Sequence, residues 1–163
     1  MDQLQRVRPP GLEFIFQVRL YFTSRLRFPV DDAGSELGFV LIDHGVIEGP
    51  RLNGKVVPQS GGDWAKIRSN GVVVHQAHYI LQADDGQYIY MRNSGYHAYP
   101  GKEWIGRLHE ATEEQRAADY FRLTPTFETT GPAHEWLTKT VIVGAGERRF
   151  NPDHSVFDYY AVT

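Results

Sequence analysis

The sequence predicts an all-β protein, an antiparallel barrel or sandwich that carries one short helix. Three observations predict it. Apolar residues recur with period two in stretch after stretch, turn signals separate those stretches, and sixteen glycines stand against one convincing helix-forming segment.

In chain order, "EFIFQVRLYF" (13–22) places Phe14, Phe16, Val18 and Leu20 on one side of a strand. "GFVLID" (38–43) and "KVVP" (55–58) are short apolar runs ended by turn residues. "WAKIRS" (64–69) runs into "NG" at 70–71, a hairpin signal of the type I′ kind. "GVVVHQAHYILQA" (71–83), the turn "DDG" (84–86) and "QYIYMRN" (87–93) extend this into a three-stranded meander. "EATEEQRAADYF" (110–121) has good helix formers and acids near its start, enough for one or two turns. "RLTPTFETT" (122–130), "EWLTKTVIVGAG" (135–146) and "SVFDYYAV" (155–162) return to strand, the second after a turn at "GP" (131–132). No internal repeat or low-complexity segment interrupts the pattern.

Composition removes several classes of function. With no cysteine, disulfides, thiolate zinc sites and a cysteine nucleophile are excluded. The net charge is −3 and the seventeen basic residues are scattered, which leaves no electrostatic footprint for nucleic acid. Apolar runs such as "GVVV" and "VIVG" are too short to span a bilayer. "MDQLQRVRPPGLEF" lacks the apolar core of a signal peptide, so no membrane partner and a cytoplasmic location are expected. Aromatic residues make up 13% of the chain, nine of them tyrosines, which suits a barrel core or an aromatic-lined cavity.

"GPRLNGKVVPQSGGDW", a strand ending in "HYIL", "DDGQYIYMRNSG", "YFRLTPTFET" and "EWL", in this order and spacing, resemble the domain of unknown function 3237 family. The resemblance runs from about Phe14 to Val162. It implies a single closed antiparallel β-barrel, calycin-like or allene-oxide-cyclase-like, whose lumen holds a small ligand. Residues 13–163 then form the barrel and 1–12 a flexible tail. Two positions depart from the family pattern. An Asp-x-Arg pair before the tyrosine of the long strand is replaced by Gln76 and His78 before Tyr79, and the asparagine after "EWL" is Thr138.

Candidate chemistry follows from strand geometry. His75 and His78 are an odd number of residues apart, so they project from opposite faces and do not make a two-histidine metal site. No metal and no cofactor are expected. The family's polar pair favours the face of Gln76 and His78 as lumenal, which makes His78 the proton-transfer candidate. Arg122 and Glu128 share a face of "RLTPTFETT" and match the family's motif. The plain reading turns that polar face to water, with Phe121, Leu123, Pro125 and Phe127 in the core; the alternative puts Arg122 in the lumen as a substrate anchor, paired with Glu128 or Asp63. In "GGDW", Gly61 and Gly62 suit a tight turn at the barrel rim. Asp63 there either caps the turn or acts as a base. "GAGERR" (144–149) resembles a phosphate loop only faintly, since no lysine follows and no helix opens. "MRNSGYHAYPGKEW" (91–104) reads as a long loop whose Tyr96, His97, Tyr99 and Trp104 close one barrel end.

The sequence therefore points to a cofactor-independent cyclase, isomerase or dehydratase working on a small organic metabolite. Its catalytic set is His78, Asp63, Glu128 and Arg122, and Trp64, Gln76, Tyr90, Trp136 and Thr138 contact substrate. A non-catalytic small-molecule carrier is the competing reading, and a homodimer is compatible with both.

Overall fold

A computed structural model describes residues 4–163. The strands are β1 (Leu12–Pro29), β2 (Glu36–Glu48), β3 (Gly54–Val56), β4 (Gly62–Ile67), β5 (Val72–Ala83), β6 (Tyr88–Ala98), β7 (Tyr120–Glu128), β8 (Ile142–Arg149) and β9 (His154–Val162), with one short helix, α1 (Glu113–Ala117), before β7. Every pairing is antiparallel. The order runs β1-β9-β8-β7-β6-β5, then through β3 and β4 to β2, which pairs back onto β1. Because β3 and β4 share one place between β5 and β2, the wall is an eight-stranded closed barrel. Closure pairs the edges that a sandwich would leave open.

Of the expected tail, residues 1–3 lie outside the described residues. Residues 4–11 are exposed and form no strand, and Gly11 already exchanges backbone hydrogen bonds with Thr163 at 2.8 and 3.0 Å. The two predicted hairpin turns are present, but as three-residue loops. Arg68 N–H donates to Val72 O and Gly71 N–H to Arg68 O, each at 2.9 Å, and Gly71 takes φ +87°. Asn70 is not left-handed, so the turn is the type I form closed by a left-handed glycine, and not type I′. "DDG" repeats this arrangement at Gly86, φ +86°.

Three other expectations change. A register shift between Phe14 and Phe16 buries Ile15 and Phe16 together and turns Phe14 outward, edge-on to Tyr160 at 5.8 Å. Residues 132–138 form a 3₁₀ turn where strand was expected, and β8 starts only at Ile142. The helix is shorter than 110–121: Thr112 caps it through the Gln115 N–H, while the Gln115 side chain returns the bond to the Thr112 N–H.

The barrel is filled at one end and hollow at the other. At the filled end Phe16, Val18, Ile47, Val56, Leu81, Ile89, Met91, Phe127 and Tyr159 interlock, and Leu137 with half-buried Trp136 closes the bottom. Full burial of one such side chain contributes roughly 1.5–3 kcal/mol. At the other end the inward side chains leave a cavity of about 680 Å³. The long β1–β2 hairpin rises beside its mouth, and residues around Ile105 and Leu108, between β6 and α1, lie across it. No helix among the described residues is long and apolar enough to cross a membrane.

Candidate functional site

Inward positions of neighbouring strands build the cavity wall. β5 contributes Val73, His75, Ala77 and Tyr79; β6 contributes Asn93 and His97; β7 contributes Phe121 and Leu123; β9 contributes Ser155 and Phe157. The face of β5 expected to be lumenal is therefore the wrong one. The apolar set of Val73, Ala77, Tyr79 and Leu81 goes inside and takes His75 with it. On β7 the plain reading holds, with Phe121, Leu123 and Phe127 buried.

Of the expected catalytic set and the expected substrate contacts, Asp63 alone lines the cavity. His78 stands on the outer surface, its Nδ1 2.7 Å from Tyr90 Oη. Gln76 faces out beside it, and Trp64 packs on Phe39 outside the barrel with ring centroids 4.4 Å apart. Arg122 lies on the outside of β7, over the Tyr120 ring, and donates to Phe121 O at 2.8 Å. Glu128 is also outside, 3.8 Å from Arg92, so the expected ion pair with Arg122 does not form. Trp136 lies under Arg51 at the filled end, and Thr138 donates to Glu135 O on the surface. Strand alternation explains the placements on β4 to β7: period two fixes which residues share a face, and the more apolar face takes the interior. Trp136 and Thr138 are set instead by the 3₁₀ turn.

Asp63 borders a gap in the β4–β5 ladder, which lies between the pairs Asp63/Ala77 and Lys66/Val74. Its Oδ1 accepts the Gln76 N–H at 2.9 Å. Its Oδ2 accepts a hydrogen bond from His75 Nδ1–H, and both side chains are mostly buried. A carboxylate pinned by a backbone donor thus fixes the imidazole tautomer and leaves Nε2 with a lone pair. His75 Nε2 is buried and has no partner among the described residues. Gly61 and Gly62 are close-approach glycines, not turn glycines. A Cβ at Gly61 would lie 1.7 Å from His78 O, and one at Gly62 would lie 2.7 Å from the Phe39 ring.

A second histidine–aspartate couple lies nearer the mouth. His97 Nε2–H donates to both Asp119 oxygens, at 2.7 and 2.8 Å, tying β6 to the short link between α1 and β7. The His97 ring is held between Tyr99 and Phe121, and burial keeps its pKa below the ordinary value despite Asp119. Tyr99 is pushed up to about 12 by the same burial. Deeper in, Asn93 Nδ2 donates to Tyr159 Oη at 2.8 Å, while Asn93 Oδ1 and the Tyr79 hydroxyl make no well-formed hydrogen bond among the described residues. Burial raises both phenols, Tyr79 and Tyr159, above their ordinary range.

At the rim, Arg148 of β8 projects inward, donating to Ser155 Oγ at 2.8 Å and to Asp153. "GAGERR" is thus a strand. A Cβ at Gly144 would strike the Tyr159 ring at 2.8 Å and one at Gly146 the Phe121 ring at 2.6 Å, and two residues further the alternation delivers Arg148. Of the loop expected at 91–104, residues to Ala98 belong to β6. His97 and Tyr99 do line the cavity, whereas Tyr96 faces solvent and Trp104 lies off it. Among the described residues no cluster of three histidine or carboxylate side chains is placed to hold a metal ion.

Residues 10–162 match the sequence model of the family described as "Protein of unknown function (DUF3237)". The chain belongs to this family. A DUF3237-length relative, a UPF0311 protein from Clostridium acetobutylicum, is 27% identical over 160 residues, covering 98% of this chain and 99% of the relative. A β-barrel-like protein from Acinetobacter baumannii superposes with a TM-score of 0.82 at 25% identity, over 98% of this chain and 100% of that one. The hydroalkoxylation enzyme phnH of Penicillium herquei is 31% identical over 91 residues, 55% of this chain and 58% of phnH. The barrel fold is therefore shared with a protein described as β-barrel-like, and about half of the chain is similar to part of a protein named as an enzyme.

Proposed function

We propose that the protein is a cofactor-independent enzyme that closes a ring by acid/base catalysis on a small, partly apolar molecule held in the cavity. The observation that carries this reading is the Asp63–His75 couple, set in the wall of a cavity whose size suits a drug-sized ligand. Asp63 fixes the tautomer and offsets positive charge as it forms, and His75 Nε2 takes a proton from a substrate hydroxyl. As the oxygen bonds to one carbon of a double bond in the same molecule, the π bond breaks and its electron pair takes a proton from the imidazolium onto the other carbon in the same step. Mass is conserved and no oxidant is needed. The partial likeness to an enzyme of hydroalkoxylation, the addition of an O–H group across a double bond, supports this choice among acid/base reactions. The proton-transfer role expected of His78 passes to His75.

The test is a panel of hydroxylated aromatic alkenes, with 2-allylphenol as the smallest, separated by chromatography and weighed by mass spectrometry. A product of altered retention and unchanged mass is expected, formed more slowly by roughly two to four orders of magnitude in His75→Gln. Saturable binding of panel members with no isomer formed would make the protein a carrier and overturn the reading.

A further inference from the structure

The cavity mouth is unevenly charged. Its ionisable lining at the rim includes Arg25, Arg27, Arg148 and His109, the last beside Glu110, together with the carboxylate of Asp153. Arg27 is engaged by Glu36. Asp153 is shared, because Arg25 binds its Oδ2 at 2.7 Å and Arg148 its Oδ1. Two guanidiniums on a single carboxylate leave one positive charge unmatched. Arg25 is half exposed, so water screens much of its charge. Arg148 is not, for its side chain keeps 16% of its accessible surface and lies between the Phe22 and Phe150 rings, 5.3 and 5.9 Å from their centroids.

A buried cation is costly unless matched by an anion. The two bonds of Arg148, to Ser155 and Asp153, leave other donors of its planar fork without a protein acceptor among the described residues. Burial and the nearby Arg25 both oppose its charge, which a further anion would relieve. Flat rings on either side complete a slot suited to a planar acid.

We infer that Arg148 anchors a carboxylate of the ligand, and hence that the cavity takes aromatic acids, oriented with the carboxylate at the rim and the ring system toward His75. This rests on the reading of the cavity as a ligand site and names the ligand class. Arg148 replaces Arg122, which lies outside the barrel, as the substrate anchor.

The experiment measures binding, not turnover, by titrating the protein at neutral pH with 2-naphthoate and with the neutral, similarly shaped 2-naphthylmethanol. The acid should bind roughly ten-fold more tightly to the unaltered protein, and Arg148→Gln should reduce the preference to less than about two-fold. Arg148→Lys should retain part of it, and Arg122→Gln, on the outer face, all of it. Equal binding of the two probes to the unaltered protein overturns the anchor but leaves the cavity as a ligand site. Binding of neither overturns both. The probe comparison needs no variant, so a failure of Arg148→Gln to fold does not remove the test.

Discussion

His97 and Phe121 lie ring on ring, their centroids 4.1 Å apart and their planes 8° from parallel, and His75 rests on the same phenyl ring at 4.8 Å. Two imidazoles, each bonded to its own aspartate, are therefore coupled through one aromatic side chain on β7. The couples differ in burial: His97 is sealed, whereas His75 keeps more of its surface.

That seal sets a pH dependence of stability. Burial holds His97 below its ordinary 6.5, outweighing the attraction of Asp119, and His75 and Arg148 press it the same way. The unfolded chain then binds more protons than the folded one as the pH drops through about 6.5. The stability contributed by neutral His97 is full above that pH and is lost below it. Melting temperature should fall from about pH 7 to about pH 5, and His97→Gln should flatten that slope. An unchanged slope would mean that other groups set it.

Asp63→Asn should cost turnover roughly two to four orders of magnitude, because the amide can no longer balance the imidazolium or enforce its tautomer. His78→Gln should leave turnover within a factor of about three, worth under 1 kcal/mol of barrier. The reverse ranking would return catalysis to the outer face.

Tyr159→Phe and Tyr79→Phe should part company in urea. The first strands the Asn93 amide and should cost roughly 1–3 kcal/mol. The second deletes a hydroxyl that makes no well-formed bond, and should be neutral or mildly stabilising.

Gly146→Ala should destabilise by roughly 1–3 kcal/mol, since the new methyl group meets the Phe121 ring at a distance no contact tolerates. The displaced ring should also disturb the His97 stack, which a shift of the His97 ring protons in NMR would report. Stability equal to the parent's would mean that the wall yields easily there.

Alternation made the strands legible: the ranges of β5, β7 and β9 follow from the sequence within a residue or two. It could not say which face of β5 turns inward, because Gln76 with His78 and His75 with Tyr79 are each mixed pairs. Weighing the whole face decides it, since Val73, Ala77 and Leu81 accompany His75. Asp119 was not legible. It lies in no strand and reaches His97 only through the fold. Arg148 was, in principle: Gly144, Gly146 and Arg148 share one face of β8, and two glycines there mean neighbouring rings inside the barrel.

The division of the barrel into a filled and a hollow half separates two kinds of selection. Substitutions at Val40, Ile105 or Leu108, which line the cavity outside that core, reshape what fits there while the interlocked half around Phe16, Met91 and Tyr159 keeps the wall closed. Such a barrel can wander across substrates over evolutionary time without first acquiring spare stability, because its footing and its workplace are different sets of residues.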